Sequence, residues 1–242
     1  DQWAQFSVAG PKTRDLLKEI VDPAEDLSNE GFPFMGAREV ALRGGIKARL
    51  FRISFSGEMA FEISVPARYG EALVRNLMLA GKPFGVTPYG TEALGVMRIE
   101  KGHVAGPELN GTTTVADLGL GKMMSTKKDF VGRVMAGREA LVAPDRQVVV
   151  GIKPTDKARR LRSGAHIVPK GQTPGPDNDQ GYVTSVCFSP TSDQWIGLAL
   201  VERGRERIGE AVRAHDPLRA EEYDVELCNP VFYDPDGGRQ RG

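Results

Sequence analysis

From Gln147 onward the sequence turns into short strand-like pieces, at 148–152, 166–168, 182–188, 196–201, 211–213 and 223–227, parted by Gly, Pro and polar residues. Successive side chains of a strand lie on opposite faces, so each piece has at least one apolar face to bury. Many short strands joined by tight turns bury those faces as a small barrel or sandwich. Gly 29 and Pro 16 in 242 residues supply the turns. The stretch KGQTPGPDNDQG (170–181) is too polar and too rich in Gly and Pro for a strand and reads as a surface loop.

The first half has a different rhythm. A strand over 3–8 stops at Gly10-Pro11, and Pro11 suits the first position of a helix over 12–21. Leu16, Leu17, Ile20 and Val21 fall on one side of that helix; Arg14, Asp15, Lys18 and Glu19 fall on the other. Strands are expected at 38–42, 47–55 and 60–65, with turns at Gly44-Gly45 and Ser56-Gly57-Glu58. A helix over 68–80, with Leu73, Val74 and Leu77 inward, ends at Gly81. Another is expected with Thr87 as N-cap and Pro88 at its first position, turning Ala93, Leu94, Met97 and Ile99 inward before Gly102. This half is an α+β layer, with helices packed on one sheet. The hinge between the halves falls near Ala143-Pro144-Asp145.

Lys plus Arg (32) balance Asp plus Glu (32), so no bulk positive field gathers phosphate backbones and a nucleic-acid partner is not expected. No apolar run approaches the roughly 18 residues of a bilayer span, and the first residues lack a signal-peptide pattern. Two cysteines, Cys187 and Cys228, are too few for a disulfide framework, so a soluble, cytoplasmic protein is expected. His103, His166 and His215 are scattered without metal-ligand spacing, and no metal is expected. Cys187 alternates within a strand as a small core residue, and Lys127-Lys128-Asp129 reads as a solvated charge cluster. The chain opens at Asp1 without an initiator Met and is soon in patterned sequence, which is expected of a piece of something longer.

Two residues stand out as candidates for chemistry. In GEMAFEISVP (57–66), Phe61, Ile63 and Val65 share one strand face and Ala60, Glu62 and Ser64 the other, which leaves Glu62 as a carboxylate within an apolar strand. A heterocycle with adjacent N–H groups, such as a guanine or pterin, would satisfy it; an exposed glutamate or an ion pair is the commoner arrangement on pattern alone. Arg98 lies too far along its helix from Glu92 to pair with it. It could bind a ligand carboxylate or phosphate, but more often such an arginine makes a structural ion pair.

Several segments together resemble the folate-binding aminomethyltransferase family, the T-protein of glycine cleavage and its relatives. They are VAGPKTRDLL (8–17), SFSGEMAFEISVP (54–66), YGTEALGVMRIEKG (89–102), ADLGLGKMMSTKKDFVGR (116–133) and GYVTSVCFSP followed by IGLALV. Within that family, SNEGFPFM (28–35), RISFSGE (52–58), TPYGTE (87–92), STKKDFVG (125–132) and the ending NPVFYDPDGGRQRG are most similar to the C-terminal portion of the alpha subunits of heterotetrameric sarcosine oxidases.

The resemblance implies an α+β fold. Residues 1–143 would be the second part of the folate-binding domain, a ferredoxin-like half with helices packed on an antiparallel sheet, and residues 147–242 a small C-terminal β-barrel. It implies tetrahydrofolate as the bound cofactor, with Glu62 holding the pterin ring, Phe55 standing where some relatives carry a pterin-contacting tyrosine, and Arg98 either touching folate or bracing its helix. The family's catalytic aspartate matches no position in this chain. The implied reaction begins on a flavin-bearing beta subunit, which oxidises sarcosine to an imine and forms hydrogen peroxide; tetrahydrofolate traps the imine as 5,10-methylenetetrahydrofolate and releases glycine. FAD, FMN and NAD belong elsewhere in that assembly, beside the N-terminal remainder of the same subunit and the smaller subunits, and this portion alone is expected to be inactive. Two alternatives share the same residues: a glycine-cleavage aminomethyltransferase, and a structural or docking module without catalysis.

Overall fold

The computed structural model describes residues 2–242. They divide into two units, one made of the chain up to Met97 with Asp234–Gly242, the other of Arg98–Tyr233. The division falls within helix α3 (Thr91–Glu100).

In the first unit β1 (Trp3–Ala9), β2 (Ala37–Ala41), β3 (Lys47–Phe51) and β4 (Ala60–Pro66) form an antiparallel sheet in the order β1-β4-β3-β2. Alternation sorts its faces. Phe61, Ile63 and Val65 of β4, with Ala48 and Leu50 of β3, are buried against Leu16, Leu17 and Ile20 of α1 (Thr13–Ile20) and Leu73 and Leu77 of α2 (Gly70–Gly81). Each large aliphatic or aromatic side chain buried there contributes about 1.5–3 kcal/mol. Phe32, from the irregular segment between α1 and β2, completes this core with its ring centroid 5.8 Å from that of Phe61. Gly81 ends α2 where the chain folds back: a Cβ there would stand 2.4 Å from a Val86 methyl.

The second unit is a closed antiparallel barrel of β5 (Gln147–Pro154), β6 (His166–Val168), β7 (Gly181–Ser189), β8 (Gln194–Glu202), β9 (Ala211–Asp216) and β10 (Glu221–Cys228), in the order β10-β5-β8-β7-β6-β9. Closure leaves no unpaired sheet edge. Val150, Ile152, Ile167, Val183, Ala199, Val201, Val212, Ala214, Val225 and Leu227 fill the interior, and Leu161 joins them from the segment before β6. Residues 103–146 run largely without regular structure apart from a single helical turn, α4 (Arg133–Ala136), and 3-10 turns.

Five local expectations are corrected. The helix after Pro88 begins at Thr91: residues 86–90 are without regular structure, and the first helical bond runs from Leu94 N–H to Gly90 C=O. Of its four apolar positions only Ile99 is buried, and Ala93 is exposed. Val74 is exposed on the flank of a groove instead of packing inward. Pro11 lies in the turn before α1, and the strand expected to reach Phe55 leaves the ladder after Phe51, where Arg52 N–H turns to Gly36 C=O. No helix among the described residues is long and apolar enough to cross a membrane.

Candidate functional site

The face of the first sheet opposite its helices is polar. Register aligns Ser7 of β1, Glu62 of β4 and Phe51 of β3 across it, and Gln5, Ser64 and Arg49 in the next row. Gln5 is clamped at both ends: its Oε1 accepts from Ser64 Oγ at 3.1 Å, and its Nε2 donates to Glu62 Oε2. Those two bonds fix which way the amide faces. Glu62 is half-buried, and among the described residues no donor is seen at its Oε1. A carboxylate held at one oxygen and open at the other is an acceptor for a ligand N–H. Arg49 lies on the same face with its guanidinium 4.0 Å from the Trp3 ring centroid. Neither described cavity is lined by Glu62.

Phe55 belongs to the segment joining β3 and β4 and is 40% exposed. That segment is held by Gly57 N–H donating to Ser54 Oγ at 3.0 Å, with Gly57 at φ +86°. Glu62 and Phe55 therefore both belong to the first unit. Arg98 lies in the second. Its Nη1 is 3.1 Å from Glu108 Oε2 and its Nη2 donates to Ser185 Oγ at 2.7 Å. Glu108 is fully buried; its Oε2 also accepts Ala105 N–H at 2.8 Å, and its Oε1 accepts Ser185 Oγ–H at 2.6 Å. This network satisfies a charge pair that would otherwise be costly to bury.

A second carboxylate–arginine contact orders the irregular segment before the barrel. Asp117 and Arg146 approach to 2.6 Å, and Thr114 N–H donates to Asp117 Oδ2 at 2.8 Å. Burial pushes the Asp117 carboxyl up, but the bonds from Arg146 and Thr114 outweigh it and hold the group below its ordinary range. Sequence reasoning missed Gln5, Glu108, Ser185, Asp117 and Arg146. The alternation of β1 would have put Gln5 on the polar face, whereas the other four carry no local signal.

The chain matches the family model for the GCVT N-terminal domain over residues 1–128 and that for the glycine cleavage T-protein C-terminal barrel domain over residues 147–234. It is 53% identical over 241 residues to the sarcosine oxidase subunit alpha of Rhizobium meliloti (strain 1021), a match covering 99% of this chain and 24% of that subunit. An aminomethyltransferase of Caldanaerobacter subterraneus subsp. tengcongensis is 31% identical over 230 residues, covering 91% of this chain and 57% of that protein. The crystal structure of glycine cleavage system aminomethyltransferase T from Bartonella henselae superposes with a TM-score of 0.77 at 23% identity, over 96% of this chain and 60% of that one. The chain thus spans about a quarter of the sarcosine oxidase subunit it matches.

Proposed function

This chain belongs to the glycine cleavage T-protein family, and on that premise we propose that it is the C-terminal folate-binding portion of a sarcosine oxidase alpha subunit. Residues 1–143 complete the folate module, and the strands from Gln147 to Cys228 form its barrel. The observation that carries this reading is Glu62, held by Gln5 at one carboxylate oxygen and open at the other on the helix-free sheet face. That arrangement fits one edge of a reduced pterin, whose adjacent N–H groups donate to a carboxylate. When bound, tetrahydrofolate supplies a nucleophilic amine that takes up the one-carbon unit released by oxidation of sarcosine's N-methyl group.

The residues of this chain bind and orient. Glu62 accepts pterin N–H groups, Gln5 and Ser64 fix its direction, and Phe55 packs against the ring. Arg98, with both Nη atoms engaged by Glu108 and Ser185, braces the end of α3. Polypeptide preceding these residues in the full subunit supplies the rest of the enclosure, and a flavin-bearing partner subunit oxidises sarcosine.

In the full heteromeric enzyme, Glu62→Gln is expected to weaken tetrahydrofolate binding about tenfold, the loss of a charge-assisted hydrogen bond. Flavin reduction by sarcosine in stopped flow is expected to stay unchanged; an unaltered folate isotherm overturns the assignment. The likeness to aminomethyltransferases favours a second reading, glycine cleavage with a lipoyl-borne donor. Copurification with a lipoylated carrier protein, in place of flavin subunits, would select it.

A further inference from the structure

His166 of β6 and His215 of β9 are far apart in sequence, yet the barrel register sets them directly opposite each other. Their neighbours Ile167 and Ala214 are fully buried inside the barrel, so alternation points both imidazoles outward. Facing residues on adjacent strands hold their Cβ atoms about 4.5–5.5 Å apart, within reach of a shared ion. We propose that His166 and His215 form a two-histidine chelate for a divalent first-row transition metal on the outer face of the barrel.

The carboxylates around the pair support this. His166 Nδ1 lies 2.7 Å from Asp179 Oδ2, and His215 Nδ1 lies 3.3 Å from Glu222 Oε1. Asp179 precedes β7 on one flank, while Glu222 faces His215 from β10 on the other, so the row runs Asp179, His166, His215, Glu222. Each carboxylate therefore approaches its ring from outside the pair. The hydrogen bond between Asp179 and His166 Nδ1 holds that ring in place with its Nε2 left as a metal donor, while Glu222 lies beside the His215 ring without a hydrogen bond to its Nδ1. His215 Nδ1 is a buried nitrogen with no hydrogen-bond partner among the described residues.

The nearby cations are already paired: Arg213 lies 3.2 Å from Glu222 and 3.4 Å from Asp224, and Lys170 lies 2.8 Å from Asp224. No group of three or more His, Cys, Asp or Glu side chains suited to a metal occurs among the described residues. The chelate therefore has two protein ligands, with water completing the shell. Imidazole donors suit Zn, Cu and Ni.

The test is a Cu²⁺ titration of the full-length protein purified without a histidine tag, read by calorimetry and by electron paramagnetic resonance. One class of site with splitting from two imidazole nitrogens is expected. His166→Gln with His215→Gln should abolish that splitting and weaken binding at least about tenfold. Asp179→Asn should leave both nitrogens in place and weaken binding about 10–100-fold, as removal of an outer-shell partner does. His103→Gln serves as the control and should change nothing. Far-UV dichroism is compared across the set, and Asp179→Asn keeps both ligands should the double variant misfold. An unchanged isotherm and spectrum in the double variant, or no two-nitrogen signal in the parent protein, overturns the proposal.

Discussion

Arg98 and Glu108 are joined inside the second unit by a contact of 3.1 Å between Nη1 and Oε2, with side chains 10% and 0% exposed. Breaking one side of a buried pair strands the other charge at a cost of about 3–5 kcal/mol. Glu108→Ala is therefore expected to lower stability by that amount in chemical denaturation. Replacing both residues with apolar ones, Arg98→Met with Glu108→Leu, should cost less than Glu108→Ala alone. A double variant as unstable as the sum of its singles would show that the pair is not coupled.

Asp117 ties acid stability to Arg146. Its carboxyl sits below the ordinary range once folded, burial being outweighed by the bonds from Arg146 and Thr114. The charged form is thus favoured by folding, and its contribution is fully present above the unfolded value of about 3.9. It is lost as pH falls through the lower folded value. Asp117→Asn should be less stable than the parent at neutral pH, and the difference should shrink steadily as the solution is acidified below about pH 4. A difference constant with pH would refute the linkage.

Burial pushes the thiols of Cys187 and Cys228 each up to about 12; at Cys187 the Glu100 carboxylate adds to this and Arg98 opposes it. Thiolate is the reactive form. Native protein should therefore resist iodoacetamide at mildly alkaline pH and take up two labels per chain only after unfolding, as mass spectrometry would report. Rapid native labelling at Cys187 would contradict this.

Gly181 opens β7 at φ +144°, where an added Cβ would lie 2.0 Å from the Leu200 carbonyl oxygen. Gly181→Ala combines backbone strain with a clash against backbone and should cost about 3 kcal/mol. Gly44, at φ +95° with nothing within 4 Å of a Cβ, isolates the strain alone. Gly44→Ala should cost about 1–2 kcal/mol. Equal melting shifts for the two would show that the Leu200 contact contributes nothing.

Gln5 acts on the ligand through Glu62. Gln5→Ala in the full enzyme should weaken tetrahydrofolate binding by a smaller factor than Glu62→Gln, and Gln5→Glu, which sets two carboxylates side by side, by a larger factor than Gln5→Ala. Calorimetric titration separates the three, and the reverse order would remove Gln5 from the site.

Much of the framework was legible in the amino-acid order. The stripe of Leu16, Leu17 and Ile20, the alternation of Phe61, Ile63 and Val65, and the short strand-like pieces after Gln147 all express contacts between a strand or helix and the core of its own unit. The polar side of β4, and with it Glu62, followed from the same alternation. Closure of six strands into a barrel was half-legible, since the runs fit a sandwich equally well.

The pairings were decided by the tertiary structure alone. Nothing local to Arg98 announces Glu108 and Ser185, nothing local to Glu62 announces Gln5, and His166 meets His215 only because β6 lies beside β9. Helix α3 likewise begins at Thr91 and not at the expected Thr87 cap, because Val86 folds back to bond Gly81. Periodicity records which face of an element is apolar, a property of neighbours three or four positions apart at most. Register and strand order are set by the packing of segments distant in sequence, and it is these long-range pairings that bring the polar groups of a site together.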